Sequence, residues 1–359
     1  MIFRWGRSAL SFRKPVAVAG ALITAVAVAA CGSSSSNASS SSGSSDKGVT
    51  LDFSWQTADI PALFKESGLF NNTPYTLNYS VIAGPAAQIA ALDGDQIDIG
   101  EAGDNTGAFQ VANSPSTLTK SSIPFQGVAV TWFPDAPTGY PGPTLYVTKS
   151  SGITSLADLK GHTIGYNQGG NIQAGYVAAL AKAGLSGKSV KPVVFQSNPE
   201  AANAFDAGRV DAVVSQYANV YQQVSSGQAV MLATRQQLGE IGGDGWLVTT
   251  ADLKNPAKMA AIEDFFKRVK TFFDQWYPTH ESAVLQVYES TLDETPTVAK
   301  INYEINQHTE FYPVGSKQFL SIEQTGVDNA YKDALLLTDR NVDIGYNPVL
   351  DPILTGSSS

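Results

Sequence analysis

From residue 49 to residue 214 the polar and apolar positions switch repeatedly between two periods. Val49-Thr-Leu-Asp-Phe-Ser-Trp55 is apolar at every second place, as a half-buried strand requires, and Ile60-Pro-Ala-Leu-Phe64 then takes helical spacing, with proline in the first turn and Gly68 as its stop. Tyr75 to Val81 alternates again. Gly84 allows a turn without a Cβ, Pro85 suits a first helical turn, and Ile89 and Leu92 share one face before Asp93-Gly94-Asp95 ends the helix. Gln96-Ile-Asp-Ile-Gly100 predicts a strand, and Gly103-Asp104-Asn105 opens a helix through Ala108, Phe109 and Val111. Segment 123–133 predicts another strand, followed by a Pro/Gly-rich loop from Pro134 to Pro143.

Thr144 to Lys149 predicts a short strand passing into a second unit, where the phrase recurs. A helical turn at 154–160 and the strand His162-Thr-Ile-Gly-Tyr166 lead to Gly169-Gly170-Asn171, which opens a helix closing at Gly184. Val190 to Phe195 is a strand, Asn198-Pro199 caps and starts a helix to Gly208, and Val210 to Val214 is a strand ending in the loop Ser215-Gln216-Tyr217-Ala218. Trp246 to Thr250 matches Leu145 to Lys149 in length and pattern, so it reads as the return crossing, and the two crossings as a hinge. Helical stretches at 256–276, 282–289, 297–306 and 318–337 pack on the first unit or brace the hinge, and 341–350 reads as an extended tail. The expected fold class is α/β, with two lobes, each a mostly parallel sheet with flanking helices. Lobe I takes 49–144 and 247–359, and lobe II takes 145–246.

In such sheets ligands bind outside the carboxyl ends of the strands, where helix N-termini present free N–H groups suited to an anion. The loops predicted there carry Gln56, Thr57, Gly84, Gly103, Asp104 and Asn105 on one wall, and Asn167, Gln168, Gly170, Asn171, Gln216 and Tyr217 on the other. Each of these alone could be an ordinary loop or cap residue; their convergence makes them candidates for ligand contact. Trp55, Tyr166, Tyr217 and Trp246 are available to enclose an apolar or aromatic ligand body.

The first thirty residues follow a different rule. Arg4, Arg7, Arg13 and Lys14 precede an apolar run from Val16 to Ala30, too short to span a bilayer but right for a signal peptide. Val28-Ala-Ala-Cys31-Gly32 resembles a bacterial lipobox, with Cys31 as the lipidated residue; the plainer alternative is a secretory signal with an incidental cysteine. Residues 32–47 are almost entirely serine, glycine and asparagine, a flexible tether. Removing the leader subtracts four positive charges and no negative ones, so the formal net charge goes from −9 to −13. That balance argues against nucleic acid as a partner and leaves an anion to be held by local dipoles.

Catalytic chemistry finds little support. His162, His280 and His308 lack metal-ligand spacing, and no metal or cofactor is expected. Neither G-x-S-x-G nor a phosphate loop occurs, and Gly239 to Gly245 reads as a flexible approach to the second crossing. A single cysteine excludes an intramolecular disulfide and, at position 31, a thiol nucleophile in the folded part. Asp98 and Asp211, at equivalent places in two Gly-x-x-Asp strands, read as structural hydrogen-bond acceptors. Glu101 and Asp104 are the best acid–base candidates, without a histidine or lysine nearby in sequence.

The stretch Ala83 to Asp104, AGPAAQIAALDGDQIDIGEAGD, resembles the periplasmic solute-binding proteins for aliphatic sulfonates, close to their taurine, nitrate and thiamine-precursor relatives. The likeness continues through Ser155-Leu-Ala-Asp-Leu-Lys-Gly161 and Gly208-Arg-Val-Asp-Ala212, covering roughly residues 49–330. It implies a type II periplasmic-binding-protein fold and a monomer that captures a small organic anion such as an aliphatic sulfonate by lobe closure. It further implies delivery to an ABC permease at the outer face of a bacterial membrane. Anion oxygens would be held by backbone and hydroxyl donors in the loops at Gly84, Asp104-Asn105 and Gln168 to Asn171. The chain departs from its relatives at Asn167-Gln-Gly-Gly-Asn171, where they carry a serine- and histidine-containing run, and no arginine stands in the predicted loops. Alternative ligands are nitrate, a thiamine-precursor pyrimidine or an aromatic compound. Alternative functions are a periplasmic dehydratase or hydrolase on the same fold, and a sensory or adhesion lipoprotein.

Overall fold

Leu51, Phe53 and Trp55 turn inward as their alternation predicts, and they form one face of β1 (Thr50–Trp55). The structure, a computed structural model, describes residues 48–134 and 142–356. The expected leader, Cys31, the tether to residue 47 and residues 135–141 of the Pro/Gly-rich loop lie outside the described residues. After β1 come α1 (Asp59–Ser67), β2 (Thr76–Val81), α2 (Pro85–Asp93), β3 (Ile99–Gly103), α3 (Thr106–Asn113) and β4 (Phe125–Trp132). A second series runs β5 (Thr144–Thr148), β6 (Thr163–Asn167), α4 (Asn171–Ala183), β7 (Lys191–Phe195), α5 (Asn198–Asp206), β8 (Ala212–Ser215), α6 (Tyr217–Ser225), β9 (Ala229–Ala233) and α7 (Arg235–Leu238). The chain returns as β10 (Asp244–Thr249) and continues through α8 (Thr250–Lys254), α9 (Pro256–Thr271), α10 (Glu281–Thr291), α11 (Pro296–Asn306), β11 (Glu310–Tyr312), α12 (Lys317–Lys332) and α13 (Asp351–Leu354). No helix among the described residues is long and apolar enough to cross a membrane.

The strands form two mixed sheets, ordered β11-β4-β10-β3-β1-β2 and β7-β6-β8-β5-β9. β1 runs parallel to β2 and β3, and β6 to β7 and β8, as repeated strand–helix–strand units dictate. The reversed strands are β10 and β11 in the first sheet and β5 in the second. The first sheet packs on an aromatic core in which Phe53 stacks on Trp246 at 5.8 Å and meets Phe265 at 5.3 Å. Helix α12 carries Phe319, Val327 and Ala330 into a second core shared with α3 and α4, so it braces elements from both series.

Asp98 and Asp211 do the same job in each sheet. Asp98 Oδ2 accepts from Asp52 N at 2.8 Å, and Asp211 Oδ2 accepts from Thr163 N at 2.9 Å, each tying a strand entry to its parallel neighbour. Asp98 is further held by Lys258 Nζ at 2.6 Å.

Several boundaries differ from the sequence reading. β3 begins at Ile99 and runs through Gly103, because antiparallel β10 pairs with it from Val248↔Ile99 to Asp244↔Gly103; Glu101 therefore lies in a strand rather than a loop. Ser197, not Asn198, caps α5, its Oγ accepting from Glu200 N. Tyr217 starts α6 instead of ending a loop, and the supposed extended tail is a pair of 3-10 turns at Val342–Gly345 and Pro348–Leu350, capped by Asn341 and Asn347.

The crossings also move. β5 lies wholly in the second sheet and β10 wholly in the first, so the chain has changed sheets by Thr144 and changed back by Asp244. Arg235, 2% exposed, fastens both passages: its Nη2 donates to Phe133 O and its Nη1 to Ile241 O at 2.6 Å. Truncation removes a charged donor from two buried carbonyls, so Arg235→Ala is expected to lower unfolding free energy by about 2–4 kcal/mol, measured by denaturant titration.

Candidate functional site

The carboxyl ends of β1, β3 and β6 and the starts of α2, α4, α5 and α6 converge on one cavity of about 270 Å³. It is lined from both sheets. Where the walls meet beside it they are in backbone contact. A Cβ on Gly103 would lie 2.0 Å from Asn171 N, and one on Gly84 would lie 2.3 Å from Gln196 O. Thr106 Oγ1 donates to Gly169 O at 2.9 Å and Asn171 Nδ2 to Gly243 O at 2.9 Å, so polar bonds join the walls as well.

Six of the residues singled out from sequence line the cavity: Gln56, Thr57, Gly84, Asn167, Asn171 and Gln216. The other six do not. Gly103 and Gly170 are consumed by the wall-to-wall contact, which needs a residue without a side chain at each place. Asp104 turns away, its Oδ2 accepting from Gly243 N and its Oδ1 from Asn105 N, both at 3.1 Å. Asn105 is buried at the start of α3, and Gln168 is exposed. Tyr217 packs on Tyr221 beside Ile301 and Ile305. Of the four aromatic candidates only Trp55 lines the cavity; Trp246 is in the core, and Tyr166 stacks on Tyr176 at 4.3 Å.

The remaining lining came from residues the sequence did not single out for ligand contact. Tyr288 of α10, Ile305 and Asn306 of α11, and Glu294 and Thr309 from neighbouring loops form one side, so the helices beyond residue 256 build part of the cavity besides bracing the fold. Asp59, at the first turn of α1, Glu101 of β3 and Asp244 of β10 join Glu294, giving four carboxyl groups; among the described residues the lining contains no lysine, arginine or histidine. Only the register Trp246↔Glu101 and Asp244↔Gly103 brings two of them together, and a local sequence pattern carries no such register.

Burial dominates the electrostatics. Glu101 is pushed well above the usual carboxylate range by burial and then by Asp244, although Gln56 Nε2 donates to both its oxygens at 2.9 and 3.1 Å. Burial, Asp104 and Asp59 push Asp244 up to about 7, against the opposing field of Arg235. Burial lifts Glu294 to about 7, and raises Asp59 despite the 2.5 Å bond from Thr57 Oγ1. No group of three or more His, Cys, Asp or Glu with metal-binding geometry occurs among the described residues.

Two facing α/β sheets around a cleft at their strand ends define a periplasmic-binding-protein fold. Residues 109–269 match the family described as NMT1/THI5 like. The alkanesulfonate-binding protein SsuA from Xanthomonas axonopodis pv. citri, solved bound to MOPS, is similar at TM-score 0.66 and 21% identity, over 83% of this chain and 98% of that one. The periplasmic aliphatic sulphonate binding protein SsuA from Escherichia coli is similar at TM-score 0.64 and 20% identity, over 84% and 92%. The desulfurization enzyme DSZB shares the fold at lower similarity, TM-score 0.53 and 13% identity, over 84% and 97%. No curated protein matches the chain in sequence. These likenesses show the periplasmic-binding-protein fold that the resemblance at residues 83–104 implies.

Carboxyl groups raised by burial bind protons in the folded chain that the unfolded chain releases, so their contribution to stability is present at low pH and lost as pH rises through about 7. The unliganded protein is expected to unfold at a higher temperature at pH 5.5 than at pH 8, with the difference reduced in Asp244→Asn. Calorimetry across that range checks it; a rise in stability toward pH 8 would count against the buried carboxyls.

Proposed function

We propose that this chain is the extracytoplasmic solute-binding component of an ABC importer, capturing a small organic solute between two lobes and passing it unchanged to a membrane permease. The single observation carrying this reading is the cavity of about 270 Å³ lined from both sheets beside the glycine contact of the walls. Lobe I would take the first sheet, lobe II the second, and the hinge would be residues 133–143 and 239–243. A solute touching both walls favours the closed arrangement by its differential affinity for it. The sulfonate-binding relatives support a solute with a sulfonate-type head, which would face the starts of α2, α4 and α6 at Gly84, Asn171 and Gln216. Capture without chemistry is favoured over a dehydratase or hydrolase because the buried acid Glu101 is paired with the amide of Gln56 and not with a base.

Trp55 lies on the cavity wall, so its emission should shift on addition of a solute that binds. Fluorescence titration with alkanesulfonates, taurine, nitrate and pyrimidines is expected to give a saturable change for at least one, with a smaller radius of gyration by X-ray scattering. A folded protein that responds to none of them would contradict the receptor reading.

In the same reading Cys31 carries a diacylglyceryl anchor, and the serine-rich segment lets the domain reach its permease. Cys31→Ser is expected to move the protein from the membrane fraction to the soluble extracytoplasmic fraction, as immunoblotting of fractionated cells would show.

A further inference from the structure

We propose that the solute carries a protonated nitrogen, seated at the carboxylate end of the cavity against Asp59, Glu101, Asp244 and Glu294. The inference rests on the receptor reading and adds the ligand's charge to it. Four carboxyl groups from α1, β3, β10 and the loop before α11 line one cavity, and no cationic side chain of the described residues lines it with them. Arg235, whose field opposes the shift at Asp244, lies outside the lining and donates to Phe133 O and Ile241 O. One acceptor there also lacks a donor: Glu294 Oε2 is buried without a partner while Asn302 Nδ2 serves Oε1 at 2.7 Å.

A second observation, independent of the acids, points the same way. Asn167, on the opposite wall and only 2% exposed, lines the cavity with its Oδ1 unpartnered. A buried carbonyl oxygen without a donor is costly unless a ligand N–H fills it. An ammonium or guanidinium supplies several donors at once and neutralises charge; a purely anionic solute supplies neither and adds to the repulsion. Trp55 and Tyr288 line the same space and add aromatic surface to it. An anionic head at the helix starts remains compatible with this arrangement, so the favoured solute is a zwitterion or an organic amine.

Isothermal titration with matched probes tests this: 2-aminoethanesulfonate against 2-hydroxyethanesulfonate, and n-butylammonium against n-butanol. The amine of a pair is expected to bind about tenfold tighter or more, the worth of one charged hydrogen bond. Asp244→Asn, or Glu101→Gln should the first not fold, is expected to erase that preference. Mass spectrometry of solute released from the protein purified from its native cells should find a basic nitrogen. The proposal is overturned if the partner lacking nitrogen binds as tightly, if no amine binds, or if the released solute has no basic nitrogen. Tight binding of 2-hydroxyethanesulfonate with cleft closure would sink this inference alone, whereas no binding by any probe and no released solute would sink the receptor reading with it.

Discussion

Gly243 is the point on which the two halves of the molecule depend. Its carbonyl accepts from Asp104 N at 3.1 Å in the first wall and from Asn171 Nδ2 at 2.9 Å in the second, while its own N–H donates to Asp104 Oδ2 at 3.1 Å. A side chain there would strike Thr131 O at 2.6 Å, so only glycine lets the second crossing pass this close to β4. The residue after it begins β10, which enters between β3 and β4 and completes the first sheet. Arg235 holds the same passage from the other side, through the carbonyls of Phe133 and Ile241. Sheet completion, wall contact and the route between lobes are therefore one arrangement of hydrogen bonds.

That arrangement has an electrostatic consequence. β10 brings Asp244 beside the strand that carries Glu101, and α1 adds Asp59 from its first turn. Burial penalises the charged form of each, and neighbouring acids penalise it again at Glu101 and Asp244. A fold selected for stability alone would put apolar or paired side chains at these places. Acids kept beside a cavity store a penalty that a bound solute can relieve, and that relief contributes to affinity. Asp104 shows the contrast: more deeply buried than Asp59 or Asp244, it is met by two backbone N–H groups and rests at about 6.

The legible parts of the chain were those governed by short-range rules. Alternation at 49–55 and 75–81, the proline and glycine punctuation around α2, and the stop at Gly184 follow from local backbone preference. The functions of Asp98 and Asp211 could be read because each follows a helix-ending glycine and an Ile or Val at the entry to a strand. Gln56, Thr57, Gly84, Asn167, Asn171 and Gln216 could be placed at the cavity because strand ends and helix starts must converge there. What escaped depended on long-range pairing. Glu101 was taken for a loop residue because nothing near it announces β10, more than a hundred residues later. Glu294, Tyr288 and Asn306 reach the cavity through the packing of α10 and α11, which an amphipathic pattern does not orient toward a particular neighbour. Gly103, the last residue of β3, and Gly170, before α4, do face one another, yet their closeness leaves no room for a ligand between them.

The cleft holds carboxyl groups whose ionisation is penalised until a solute arrives. Carbon-13 NMR of the aspartate and glutamate carboxyl carbons in the unliganded protein, with Asp244 assigned by its Asn variant, measures this directly. The account predicts that Asp244 titrates near neutrality, at about 7, and moves down when a solute binds. Titration of Asp244 at the ordinary aspartate value in the folded, unliganded protein would contradict it.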